Sequence, residues 1–199
     1  MTNLYLDLAN RLASTGTPAS TATRHLILKA FAVAAAAHET QTRDNGEPYI
    51  IHPLRVATSL AQEMNITDVA SICVALLHDT FEDQDVIDDV FIGQEFSPDI
   101  AVQIRALTKP SLDGLSPDEV NRIYFQRLAE LSSDIQVIKL ADKLDNVRDA
   151  VNSPNADKRA RTLNEARDYY LPLALALTDA SRRQTIAELL SRAIVLSQP

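Results

Sequence analysis

Cysteine, glycine and aromatic residues are all scarce in this chain. Of 199 residues one is cysteine, four are glycine, none is tryptophan and 5% are aromatic. A lone Cys73 rules out a disulfide framework, argues against a structural zinc site built on thiolates, and fits a reducing cytoplasm. It lies within an apolar run, where a thiol is a small hydrophobe before it is a nucleophile. No apolar stretch is long enough to span a bilayer, and no signal peptide is visible. Basic charge is also in short supply, with 19 Lys and Arg against 27 Asp and Glu and a formal net charge of −8. That balance argues against a nucleic-acid groove, which needs a basic stripe, and an anionic substrate would need a local cation. What is abundant is aliphatic: 46% of the residues are hydrophobic, many of them Ala and Leu, a composition that suits a compact helical protein and not disorder. The length is that of one core-forming domain, taken as residues 1–199.

Periodicity and punctuation divide the chain into helices. Leu4, Leu8 and Leu12 predict a short helix over 3–13, followed by a Gly16-Thr-Pro-Ala-Ser linker. An alanine-rich helix over about 21–38 leads into a turn-rich segment, 38–53. Pro53 suits the first position of a helix over about 53–64, which leaves His52 at its cap. Thr67 is the expected cap of a helix over 68–79, and a short helix is expected over 86–91. Ser97-Pro98 and Ser116-Pro117 open helices over 98–107 and 117–132, with a surface loop over 108–114. Asp134 is the expected cap of a helix over 135–150, and helices over 156–177, interrupted at Pro172, and 180–196 close the chain. No stretch alternates with period two, so the expected fold is all-α, with about eight to ten helices.

The chain is organised around Ile72-Cys-Val-Ala-Leu-Leu-His78-Asp79-Thr80-Phe81-Glu82-Asp83. Six consecutive apolar residues predict a helix buried on every side, delivering a histidine and an aspartate into the interior. A buried carboxylate must be paired, hydrogen-bonded or metal-bound. If the helix continued past Asp79, His78 and Glu82, and Asp79 and Asp83, would lie one turn apart along one rim. Carboxylates crowd there against the helix dipole, which points to a metal or acid/base site as readily as to an ordinary polar end. In the 135–150 helix, Leu140, Leu144, Val147 and Val151 form one face and Asp142, Asp145, Asn146 and Asp149 the other. Periodicity alone reads that second face as solvated. His52, His78, Asp79 and Asp142 nonetheless make a mixed nitrogen and oxygen donor set suited to manganese, iron or zinc.

The order of these residues is similar to that of the HD-domain phosphohydrolases. Four segments resemble, more narrowly, the hydrolase domain of the RelA/SpoT family: His38-x-x-Gln41-x-Arg43, Gly46-Glu47-Pro48-Tyr49-Ile50-Ile51-His52-Pro53-Leu54, Ala75-Leu76-Leu77-His78-Asp79-x-x-Glu82-Asp83, and Ile138-Lys139-Leu140-Ala141-Asp142-Lys143-Leu144-x-Asn146. The likeness covers about residues 24–175, with Glu165 and Tyr170-x-Pro172-Leu173-Ala174 resembling that domain's end. The chain stops where long members begin a synthetase domain, so it resembles the small stand-alone alarmone hydrolases. The resemblance implies a manganese-dependent, cytoplasmic enzyme that removes the 3′-pyrophosphate of ppGpp or pppGpp. His52, His78, Asp79 and Asp142 would hold the metal, Glu82 and Asp83 would position and deprotonate water, and Arg43 and Asn146 would hold the nucleotide. Asp44 stands where the family usually has Lys, and Asp145 where it usually has His; both substitutions are expected to bring an acid to the nucleotide pocket. They keep open another nucleotide substrate, such as ppApp or NADPH; a non-catalytic nucleotide-binding module is the separate alternative, and the presence of all four ligands with Glu82 and Asp83 argues against it. Lys158, Arg159 and Arg161 could supply replacement charge, but are read first as a solvated helix face.

Overall fold

The computed structural model describes residues 7, 9–14, 20–83, 87–110 and 113–197. Within them every regular element is a helix, and the closest approach to strand pairing is a single bridge between Thr42 and Pro48. Residues 9–12 are helical, with Ala9 and Leu12 buried, whereas Leu4, Leu8 and the 16–19 linker lie outside the described residues.

The helices are α1 (Thr21–Ala37), α2 (Ile51–Gln62), α3 (Val69–Leu77), α4 (Thr80–Asp83), α5 (Asp89–Glu95), α6 (Pro98–Leu107), α7 (Pro117–Glu130), α8 (Ser133–Ala150), α9 (Ala156–Glu165), α10 (Leu171–Leu175) and α11 (Ala180–Leu196). The apolar helix α3 is the hub: it packs on α1, α2, α6 and α8, and Ser71 through Leu77 are all buried. Ala30 and Ala34, fully buried on α1, present no side chain beyond a methyl where the two helices meet. Burial drives the Cys73 thiol up to about 12, so it stays protonated and unreactive.

Several boundaries differ from the sequence expectation, each for a local reason. The cap of α3 is Asp68, whose carboxylate accepts from Ser71 N at 2.9 Å; Thr67 lies one residue outside. Helix α3 does not run on to Asp79. Thr80 Oγ1 donates to Leu77 O at 2.7 Å and the His78 ring reaches Ala75 O at 2.8 Å, so side chains satisfy the terminal carbonyls and the chain turns. Helix α2 begins at Ile51, which makes His52 a residue of its first turn and not its cap. The helix expected over 86–91 is Asp89–Glu95, capped by Asp88, and residue 86 lies outside the described residues. Ser132 and not Asp134 holds the cap position of α8. Ser97 and Ser116 do cap α6 and α7, the latter in a reciprocal box with Glu119. Pro172 has no N–H to give, and the chain ahead of it widens into a π-helical turn, Ala166–Tyr170, which splits the expected 156–177 helix.

Helix α8 departs furthest from its periodicity. It packs against α2, α3 and α11, and Lys139, Asp142, Lys143 and Asp145 are buried along with its apolar residues. Its polar face is therefore turned inward, not solvated.

Leu76 lies at the centre of this packing with no exposed surface. Leu76→Ala is expected to remove about 2–5 kcal/mol of stability, through lost transfer energy and the cavity left behind. Urea titration should show a lower midpoint at unchanged slope. A loss below about 1 kcal/mol would mean that α3 is not the hub of the core.

Candidate functional site

Four elements bring the predicted residues together. The first turn of α2 supplies His52, the turn after α3 supplies His78 and Asp79, the short α4 carries Glu82, and the middle of α8 supplies Asp142 and Asn146. His52 Nε2 lies 3.3 Å from Asp142 Oδ1 and 3.5 Å from Asp79 Oδ2. His78 Nε2 lies 3.1 Å from Asp79 Oδ1 and 3.8 Å from Asp142 Oδ1. One ligand atom each from His52, His78 and Asp142 falls within 4.8 Å of the others, a grouping able to hold a metal ion, and Asp79 stands beside it with one oxygen toward each histidine.

The other faces of these side chains fix what the inner faces present. His78 Nδ1 donates to the Ala75 carbonyl at 2.8 Å, which turns the buried Nε2 toward Asp79 and Asp142. His52 Nδ1 is 2.7 Å from Asp145 Oδ2, which likewise turns its Nε2 inward. Lys139 Nζ holds Asp142 Oδ2 at 2.8 Å, and Asn146 Nδ2 donates to Asp142 Oδ1. The Tyr49 hydroxyl donates to Asp79 Oδ2 at 2.8 Å.

The charges follow from this packing. Burial opposes ionisation throughout, but the carboxylates outweigh it at the bases. His52, bonded to Asp142 and Asp145, is raised to about 9, and His78 is raised by Asp79 and Asp142. Asp79 is held below the usual carboxylate range against burial by the two histidines, and Asp142 well below it by Lys139 and the histidines. Glu82 behaves differently. As a residue it is exposed, yet its carboxylate turns to the cavity, where burial and then Asp79 push its pKa up. Asp83 belongs to α4 by its backbone, and its side chain lies outside what the structure describes.

Two adjoining cavities open over the cluster. One of about 220 Å³ exposes His52, Asp79, Asp142 and Glu82, with Lys109 and Lys143 on its walls. A second, of about 200 Å³, shares Tyr49 and Asn146 with it and is lined by Arg43, Asp44, Lys158 and Arg159. Arg43 pairs with Asp149 at 2.8 Å and donates to Asn146 Oδ1 at 3.2 Å. The loop that presents it is closed by Gly46 at φ +84°, where a side chain would be strained, and by backbone bonds from Arg43 N to Glu47 O and from Gly46 N to Arg43 O.

Three expectations are corrected. Asp145 does not face the nucleotide side: it is buried behind His52, with Arg55 Nε at 2.8 Å on its far oxygen. Asp44 does line the second cavity, but Lys158 and Ser153 each hold it at 2.8 Å and lower its pKa, so it is not a free repulsive charge. Lys158 and Arg159 line this cavity, Arg159 half-buried and Lys158 still exposed to solvent as expected; Arg161 is exposed too. Residue pattern alone did not single out Tyr49, Arg55, Lys139, Lys143 or Asp149. Only Lys139 carried a signal, standing three residues before Asp142 on the same helix face.

A family model described as an HD domain matches residues 30–178. A GTP pyrophosphokinase rsh of Brucella melitensis is 38% identical over 173 residues, 85% of this chain but 22% of its own length. Guanosine-3′,5′-bis(diphosphate) 3′-pyrophosphohydrolases are 38% identical over 152 residues in Vibrio cholerae and 37% over 153 residues in Drosophila melanogaster. The first match covers 73% of this chain and 21% of the relative, and the second, named MESH1, covers 75% and 80%. This chain thus spans about a fifth of the length of the long bacterial relatives it matches. A solved structure described as a metazoan ortholog of SpoT that hydrolyzes ppGpp superposes with a TM-score of 0.73 at 28% identity, covering 89% of this chain and 98% of that one. Fold, buried donor cluster and family match agree: this chain belongs to the HD-domain family.

Proposed function

We propose that this chain is a manganese-dependent hydrolase of the 3′-pyrophosphate of ppGpp or pppGpp, releasing pyrophosphate and GDP or GTP. The observation that carries the reading is the convergence of two histidine Nε2 atoms, each turned inward by a bond at Nδ1, on carboxylates held ionised in the core. Mixed imidazole and carboxylate donors of this kind suit a divalent first-row ion. The relatives named for 3′-pyrophosphohydrolysis support the substrate class.

In this reading His52, His78, Asp79 and Asp142 hold the ion. A divalent ion bound there supplies a water of lowered pKa and screens phosphate charge. Lys139 keeps Asp142 anionic and commits its Oδ2, leaving Oδ1 turned toward the two histidines, where it would serve as a ligand. Tyr49 donates to Asp79 Oδ2, leaving Oδ1 beside His78. Glu82, with its raised pKa, receives the proton of the attacking water, with Asp83 assisting. As the water oxygen bonds to phosphorus, the bond from phosphorus to the ribose 3′ oxygen breaks, Glu82 returns the proton to that oxygen, and Lys109 and Lys143 stand on the cavity wall to meet the released pyrophosphate. Arg43 and Asn146 hold the nucleoside in the adjoining cavity. The neutralised Asp44 and the inward Asp145 remove the main reason for preferring another nucleotide. With manganese, the purified protein should consume ppGpp in preference to ppApp and NADPH. Survival of ppGpp while another of these is consumed would overturn the substrate assignment.

Asp79→Ala should abolish turnover and metal content together, and unchanged activity would remove Asp79 from the site. Glu82→Gln should keep the metal while the rate falls by roughly 10²–10⁴. Equal loss of metal and rate would reassign Glu82 to the metal shell.

Metal binding must also displace the proton that His52, at about 9, carries at pH 7.5. Because the folded-state value is raised, the protonated metal-free form persists until the pH passes 9, and affinity should strengthen up to that point. Calorimetry in buffers of differing ionisation enthalpy should record proton release, about one from His52 with any further release from His78; no release would contradict the assigned protonation.

Asp145→Ala deprives His52 Nδ1 of its acceptor and should weaken metal affinity about 10- to 100-fold in a protein shown by thermal unfolding to remain folded. Unchanged affinity would mean that packing alone orients the ring.

A further inference from the structure

Between the Arg43 cavity and the metal pocket runs an unbroken file of paired side chains. Arg43 holds Asp149 Oδ2 by two bonds, from Nε at 3.1 Å and from Nη2 at 2.8 Å. The other oxygen of Asp149 accepts from Arg55 Nη2 at 3.4 Å. Arg55 Nε in turn lies 2.8 Å from Asp145 Oδ1, and Asp145 Oδ2 is 2.7 Å from His52 Nδ1. Each carboxylate gives one oxygen to its neighbour on the Arg43 side and the other to its neighbour on the metal side. Base and acid alternate all the way from one cavity to the other.

Arg55 is the adjustable member of the file. The contacts at its two ends are short and well made, whereas this one guanidinium is divided among three acids. Asp149 and Glu47 each stand 3.4 Å from it, and its 2.8 Å approach to Asp145 is not a well-directed hydrogen bond. A third of its side chain is exposed, and a cavity of about 260 Å³ opens on Arg55, Asp145 and Asp149 from behind the cluster. The guanidinium therefore has room to shift among its partners. Asp145 and Asp149 lie one turn apart on α8 and carry like charge, so attraction that Arg55 gives to one is withdrawn from the other.

We propose that Arg55 is a positioning residue that couples the two cavities: a nucleotide engaging Arg43 tightens the hold of His52 on a metal ion, and the ion tightens the nucleotide. The proposal rests on the hydrolase reading above, which puts the ion at His52 and the nucleotide at Arg43. A nucleotide that takes up donors of Arg43 loosens the grip of Arg43 on Asp149. Asp149 then draws Arg55 toward itself and away from Asp145. The charge of Asp145 falls to the Nδ1–H of His52 alone, and an imidazole whose Nδ1–H is more strongly bonded is the better ligand through Nε2. Linkage makes the effect run equally in the other direction.

The test is Arg55→Gln, which keeps an amide donor but removes the shared charge, in protein shown by thermal unfolding to remain folded. Manganese affinity is read by calorimetry with and without saturating GDP, which has no 3′-phosphate to hydrolyse. In the wild-type protein GDP should tighten manganese by about fivefold or more, and manganese should tighten GDP by the same factor. Arg55→Gln should bring the factor to within about twofold of no coupling, and Arg55→Lys should restore part of it. Asp149→Asn, which cuts the file at the next link, should act as Arg55→Gln does. Direct contact between GDP and the ion would survive both substitutions, so an unchanged factor in the variants overturns the coupling, as does its absence in the wild type. A second measurement needs neither metal nor turnover. The His52 Nδ1 proton, followed by NMR in the metal-free protein, should shift when GDP is added and stay in place in Arg55→Gln. A proton that stays in place in the wild type, or shifts as far in the variant, overturns the proposal. If ppGpp is not hydrolysed but the coupling and the shift are present, the coupling stands and the hydrolase reading fails. If ppGpp is hydrolysed and no coupling is found, the coupling alone fails.

Discussion

The contact between Lys139 and Asp142, 2.8 Å apart in the interior, is the constraint on which the rest of the site depends. Neither residue tolerates burial alone; an isolated charge taken out of water costs several kcal/mol even after relaxation, and stripping one partner from such a pair commonly costs about 3–5 kcal/mol. Together they let α8 turn a charged face into the core. Once Asp142 is fixed as an anion there, His52 and His78 gain a reason to point their Nε2 atoms inward, and Asp79 gains two bases to face. The cluster is a set of mutual compensations, in which His78 Nε2, 3.1 Å from Asp79 Oδ1 but without a well-directed hydrogen bond, is the least satisfied atom.

Rigidity comes from the apolar scaffold and directionality from polar contacts on its margins. Helix α3 is buried all round, so the place where it stops is determined, and Thr80 and His78 stop it by satisfying its last carbonyls. The side chain that ends the helix is therefore the same one that offers a donor to the cluster. His52 is held comparably by a relay running from Arg55 to Asp145 to its Nδ1. Such outer partners set the tautomer and the angle of an imidazole, which is the larger part of what makes it a competent ligand.

The helical class, the buried α3 and the capped starts at Ser97 and Ser116 were legible in the sequence, because apolar runs and Ser-Pro pairs act locally. The association of His52, His78, Asp79 and Asp142 was legible only through resemblance, since nothing in separations of tens of residues encodes a meeting in space. Helix α8 shows why the remainder was hidden. Its polar residues occupy the positions that a solvated face would occupy, and hydrophobic periodicity cannot separate charge facing water from charge facing a buried partner on another helix. The end of α3 was missed for a related reason: Thr80 and His78 bond to backbone carbonyls, and composition does not reveal which acceptor a side chain will take.

The same distinction bears on Asp44 and Asp145. Both read in the sequence as acids added to an anion-binding pocket, and a net charge of −8 strengthens that impression. Three-dimensional pairing reverses it. Asp44 is neutralised by Lys158, with Ser153 bonded beside it, and Asp145 commits its charge to His52 and Arg55, behind the cluster and outside the lining of the two cavities over it. What a phosphate meets is the balance of unpaired groups lining a cavity, screened from the bulk of the surface by protein of low dielectric. An acidic chain can therefore hold a polyanion, provided that its acids are matched where the substrate lies and its few bases are left over there.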